Sequence, residues 1–87
     1  MHAVVVRSTL HDFDQARQFL RGEVVPGVSQ APGFVTAHWV RLDESHGTSM
    51  LVFESEEAAR AAAERIVPKE GVVTPDSIEI GEVVEHA

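Results

Sequence analysis

Cysteine is absent from the 87-residue chain, which removes disulfides, thiolate metal sites and cysteine nucleophiles together. A secreted mini-protein of this size normally needs such staples, so the cytoplasm is the expected compartment. Long apolar runs are also missing. The stretch MHAVVVRSTL holds only Ala3 to Val6 as an uninterrupted apolar segment, too short for a signal peptide's hydrophobic part or a membrane span. Positive charge is scarce: seven Lys and Arg stand against fourteen Asp and Glu, a formal net charge of -7. Such a surface repels phosphate backbones, so neither nucleic acid nor a membrane is an expected partner. No Gly-rich phosphate loop, nucleophile elbow or HExxH pattern occurs. Glu56 and Glu57 do not form a catalytic carboxylate pair, because adjacent helical residues do not face each other.

What is present reads as one folded domain over residues 1–87. Hydrophobic residues make up 44% and charged residues 24%, well away from the composition of disordered chains. Ala3 to Thr9 is β-branched and apolar on both faces until Arg7, which predicts a strand. Asp12 is a helix N-cap with Gln15 three residues on in a capping-box position. Phe13, Ala16, Phe19, Leu20 and Val24 then form an amphipathic stripe. Pro26 and Gly27 predict a kink or an end, with one further turn before Ala31-Pro32-Gly33.

Phe34 to Leu42 reads as a second strand, with Phe34, Thr36, His38, Val40 and Leu42 on one face and Val35, Ala37, Trp39 and Arg41 on the other. Asp43 to Gly47 is a hairpin loop leading to a third strand over Thr48 to Glu54. Ser55 caps a second helix whose first turn carries Glu56 and Glu57. Ala59, Ala62, Ala63 and Ile66 give that helix a narrow inner stripe, closed by Pro68 and Gly71. Ile78 to Glu85 predicts a fourth strand, with Gly81 as a bulge.

The order β-α-β-β-α-β is the ferredoxin-like α+β arrangement, with both helices on one face of a four-stranded antiparallel sheet in the order 4-1-3-2. Strands apolar on both faces leave the second sheet face bare, beyond what a soluble monomer normally exposes. A homodimer with its sheets packed face to face is the expected assembly.

Beyond these patterns, Ala31-Pro32-Gly33-Phe34-Val35 and the run Thr48-Ser49-Met50-Leu51-Val52-Phe53-Glu54-Ser55-Glu56-Glu57-Ala58-Ala59-Arg60-Ala61 resemble the antibiotic-biosynthesis monooxygenase-like domains of the dimeric α+β barrel superfamily. The same residues also have structural roles, since Gly33 turns the chain, Phe34 and Phe53 fill core and Ser55 caps. The resemblance implies a dimeric α+β barrel and a cavity between sheet and helices. It implies oxidation of small aromatic, phenolic or quinol substrates by dioxygen without metal or flavin, that is, a cofactor-independent monooxygenase with no cofactor. A non-catalytic homodimeric module that binds a hydrophobic small molecule or a partner protein is the alternative. Haem-degrading relatives use an Asn, Trp and His set. This chain has no asparagine and no tyrosine, which argues against haem degradation and removes a proton donor expected in phenol-oxidising cavities.

Within that frame Trp39 is the candidate binding residue, an aromatic wall with an indole N–H to offer a substrate oxygen, or simply a packing residue. His38 is the candidate for proton abstraction near neutral pH, or a histidine of the dimer seam. Its neighbour Trp39 must face the opposite side of the sheet. Arg41 is the candidate cation for a phenolate, with Asp43 or Glu44 as structural partners. Arg7 is expected to pair across strands with Glu79 or Glu82. His2 falls beside His86, but a third ligand is missing and no metal site is expected. His11 and His46 fall in cap or loop positions and read as solvated.

Overall fold

The computed structural model describes residues 1–87. Its elements are β1 (His2–Leu10), α1 (Phe13–Phe19), a π-helical segment (Leu20–Val24), α2 (Val25–Ser29), β2 (Phe34–Arg41), β3 (His46–Phe53), α3 (Glu56–Glu64) and β4 (Val73–Glu82). The strands form one sheet in the order β2-β3-β1-β4, and every neighbouring pair is antiparallel. This is the ferredoxin-like α+β fold that the residue pattern predicts, and no helix is long and apolar enough to cross a membrane.

Local chemistry accounts for the boundaries. Asp12 accepts the backbone N–H of Gln15 at 3.0 Å, and the Gln15 amide donates back to the same carboxylate at 3.1 Å, satisfying a donor at the helix start. Ser55 Oγ accepts from the Ala58 N–H at 3.1 Å. At Gly33 the backbone turns through φ 77°, a left-handed conformation open to glycine at little cost. A Cβ there would lie 3.0 Å from that of Ala58. The turn places the Gly33 carbonyl to accept the Glu54 N–H at 2.8 Å, tying the entry of β2 to the exit of β3.

One sheet face carries the core. Val4, Val6, Leu51, Phe53 and Ala59 form a buried cluster, with Phe34, Ala37, Trp39 and Ile80 packed against it from the strands. Val4 and Phe53 are fully buried, each contributing roughly 1.5–3 kcal/mol by area. Ala59 is fully buried too, because the small stripe of α3 lets its backbone lie directly over β1, β3 and β4.

Several boundaries differ from the sequence expectations. Phe34 pairs with Phe53 and Thr36 with Val52, so Val35 is bulged out of register and the alternation changes phase. Phe34 therefore joins Ala37 and Trp39 on the helix side, where its ring meets Phe53 edge-on at 6.1 Å. The β4 strand begins at Val73 and stops at Glu82, earlier at both ends than the Ile78 to Glu85 expectation. Pro75 is accommodated because β4 is an edge strand, where a missing N–H can face away from the ladder. The irregularity in β4 lies between the pairs Arg7–Ser77 and Ser8–Pro75, at Asp76, whereas Gly81 pairs regularly with Ala3. Pro26 does not end the first helix: it sits in the first turn of α2, and the π-helical segment before it carries the chain on into α2.

Register also settles the charged strand residues. Arg7 stands opposite Ser77, with Glu79 diagonal to it on the same face, and Glu82 pairs with His2. Arg7 makes no ion pair with either; the ion pairs are His46–Asp43 and Arg60–Glu56. Glu82, not His86, occupies the position beside His2.

Candidate functional site

The two parts of the helical layer sit differently on the sheet. The α3 helix lies against three strands, while the first helix reaches the sheet mainly through α2 at β2. In α1 and the π-helical segment only the small Ala16 is buried. Phe13, Phe19, Leu20 and Val24 all remain partly exposed. The helix side of β2, which Phe13 of α1 reaches at Arg41, forms the candidate crevice.

Trp39 and Arg41 are the β2 residues turned to that side. Trp39 is half-buried against the core cluster. The guanidinium of Arg41 lies 3.7 Å from the centre of the Phe13 ring, the range of a stacked cation–π contact. Two residues apart on the strand, they share one face with Cα atoms about 7 Å apart.

The β2–β3 hairpin fixes the arginine. Its Nε donates to the Asp43 carbonyl at 3.1 Å and its Nη2 to the Glu44 carbonyl at 3.4 Å. The expected neutralisation by the Asp43 or Glu44 carboxylate does not occur. The Asp43 carboxylate instead accepts the Ser45 N–H at 2.8 Å and meets His46 Nδ1 at 2.9 Å. The Ser45 backbone N–H, followed by the His46 side chain, holds this carboxyl below its ordinary value.

His38 is absent from the crevice. It stands opposite Met50 in the register, and Met50 in turn opposes Val5, which opposes Glu79. This rung belongs to the face of the sheet that carries no helix. Here the sequence expectation that His38 and Trp39 face opposite sides is met. The other histidines do not converge: His11 Nε2 meets Thr74 Oγ1 at 2.8 Å, His46 serves the hairpin and His2 Nδ1 is buried without a partner. Nowhere do three His, Asp or Glu side chains group as metal ligands.

Two shallow surface hollows lie elsewhere. One runs along Glu56, Glu57, Arg60, Ala61 and Glu64, the other among Asp14, Arg17, Gln18 and Arg21. Both are outer, charged flanks of helices with no aromatic wall. Phe13, which the sequence places on the amphipathic stripe of the first helix, is the residue whose contact with Arg41 the sequence reading missed. Its position one residue after the N-cap, on the helix facing the end of β2, was the available signal.

No family model and no curated protein matches the sequence. Solved structures do match in fold. HapK from Hahella chejuensis superposes with a TM-score of 0.72 at 13% identity, over 100% of this chain and 96% of that one. SnoaB, a cofactor-independent oxygenase from Streptomyces nogalater, gives a TM-score of 0.72 at 15% identity, over 98% and 94%. The heme-degrader MhuD from Mycobacterium tuberculosis, solved with two hemes bound in its active site, gives 0.64 at 20% identity, over 98% of each chain. The chain shares with all three the ferredoxin-like α+β fold.

Proposed function

We propose that this chain is a cofactor-independent monooxygenase for a small aromatic, phenolic or quinol substrate held between α1 and β2. The observation that carries the reading is the placement of Trp39 beside the ring-stacked Arg41 on the loosely covered face of β2. Similarity in fold to a cofactor-independent oxygenase and to a heme-degrader points the same way. Trp39 holds the ring and limits water, and the Arg41 charge favours the phenolate over the phenol. A deprotonated phenol with an adjacent ring methylene can reduce dioxygen directly. One oxygen atom becomes the new carbonyl and the other leaves as water, so the substrate supplies the electrons. His38 lies on the other face and takes no part in this crevice.

The functional unit in this proposal is the single domain 1–87 paired with a second copy through the uncovered sheet face. Thr36, His38, Val40, Thr48, Met50, Val52 and Val5 share that face by register. Val40 is 49% exposed and Met50 48% exposed, a bare apolar load that a second sheet would cover. The cysteine-free, acidic composition supports a cytoplasmic setting.

Oxygen uptake measured with anthrone-like and quinol substrates after metal chelation tests the reading. Uptake above the no-protein rate that falls in Trp39→Ala supports it. Uptake at the no-protein rate across that panel, together with ligand-dependent thermal stabilisation, overturns it in favour of a non-catalytic binding module.

A further inference from the structure

We infer that Arg41 is a preorganised receptor for a carboxylate, so that the ligands of the crevice are aromatic molecules carrying a fixed negative charge. The inference deepens the proposed function and rests on the crevice being the ligand site. Three observations carry it. First, one flat face of the guanidinium is stacked on Phe13 at 3.7 Å, which fixes its plane. Second, its side edge is occupied: Nε and Nη2 donate to the carbonyls of Asp43 and Glu44. Nη1 has no partner in the protein, so the end-on edge formed by Nη1 and the remaining Nη2 hydrogen stays open.

Third, the charge is not neutralised. Neutral carbonyls hold the arginine, while the Asp43 carboxylate is committed to Ser45 and His46. In a chain of net charge -7, this exposed arginine beside two acidic residues still lacks a carboxylate partner. A planar fork with one edge anchored and the other free matches the two oxygens of a carboxylate. Trp39, two residues earlier on the same strand face, offers the ligand's ring an aromatic wall on that side.

The test uses an anthrone bearing a ring carboxylate and the same anthrone as its primary amide, titrated under nitrogen with Trp39, the only tryptophan, as the fluorescent reporter. The wild type is expected to bind the carboxylate about fivefold more tightly than the amide, the advantage shrinking with added salt. Arg41→Gln should remove the advantage, weakening the carboxylate more than the amide. Arg41→Lys should retain part of it, since the ammonium keeps the charge but not the fork. Equal wild-type affinities, no binding of either compound, or an Arg41→Gln variant that weakens both alike would overturn the inference.

Oxygen uptake on the amide separates this inference from the reading beneath it. Uptake on the amide with no carboxylate preference sinks the receptor and leaves the oxygenase. A carboxylate preference dependent on Arg41, with no uptake on either compound, sinks the oxygenase and leaves the receptor.

Discussion

His38 and Trp39 are bonded neighbours in β2 that stand on opposite faces of the sheet. The indole packs against the cluster of Val4, Leu51 and Phe53, while the imidazole stands opposite Met50 on the uncovered face. The sheet thus gives the two candidates different roles, one beneath the helical layer and one on the face proposed to meet a second copy.

Substitution should separate these roles. Trp39→Ala is expected to lower aromatic-ligand affinity by about tenfold, whereas His38→Ala should leave it within about twofold. Fluorescence is lost with the tryptophan, so calorimetry is the measurement. Equal losses in both variants would contradict the assignment.

Placing a charge in the uncovered face should prevent pairing. Met50→Glu puts a carboxylate beside Val5 and His38 in the register, and burying it unpaired in an interface costs several kcal/mol. Sedimentation at low micromolar concentration is expected to show a dimer for the wild type and a monomeric or unfolded chain for the variant. A folded 9.5 kDa wild-type monomer would end the pairing proposal.

Removal of the Ser55 hydroxyl leaves the Ala58 N–H without its 3.1 Å acceptor. Ser55→Ala should cost about 1 kcal/mol, seen as a fall of about 4–8 °C in Tm for a domain of this size.

Gly33→Ala combines a left-handed φ of 77° with a Cβ 3.0 Å from that of Ala58. The backbone part alone costs about 1–2 kcal/mol, so this variant should lose more stability than Gly81→Ala, where a Cβ meets nothing within 4 Å. Chemical denaturation compares the two.

Asp43 gives a pH signature. Its carboxyl is held below the ordinary value of 3.8, first by the Ser45 N–H and then by His46. A lowered folded pKa means that the stabilisation is present above 3.8 and is lost as pH falls through the folded value. Asp43→Asn should therefore be less stable than the wild type at neutral pH. The difference should close under acid, as followed by amide exchange in the β2–β3 hairpin.

The strand and helix order was legible because caps and periodicity agree: Asp12 and Ser55 both accept the bonds their spacing predicts. The missed features are ones where one residue changes phase. Val35 is apolar and looks like any strand residue, yet its bulge moves Phe34 to the other face. Pro75 and Asp76 read as breakers, and only their edge position in β4 makes them strand. For the site, face assignments of Trp39 and Arg41 followed from alternation. The stacking of Arg41 on Phe13 did not, since it depends on how far α1 stands from β2, which no local pattern encodes.

The wide turn at Leu20–Val24 acts as a gear between two halves of one helix. Leu20, Val24 and Val28 recur every four residues, a spacing that drifts about 40° per step on a regular α-helix. A π turn, closed by longer i→i+5 bonds, takes up that drift. Val28 consequently still meets the core cluster despite Pro26 just before it. A regular α-helical winding over the same eight residues would instead leave Val28 about 80° from Leu20. Val28 would turn away from the core cluster, and the contact that anchors this helix to β2 would go with it.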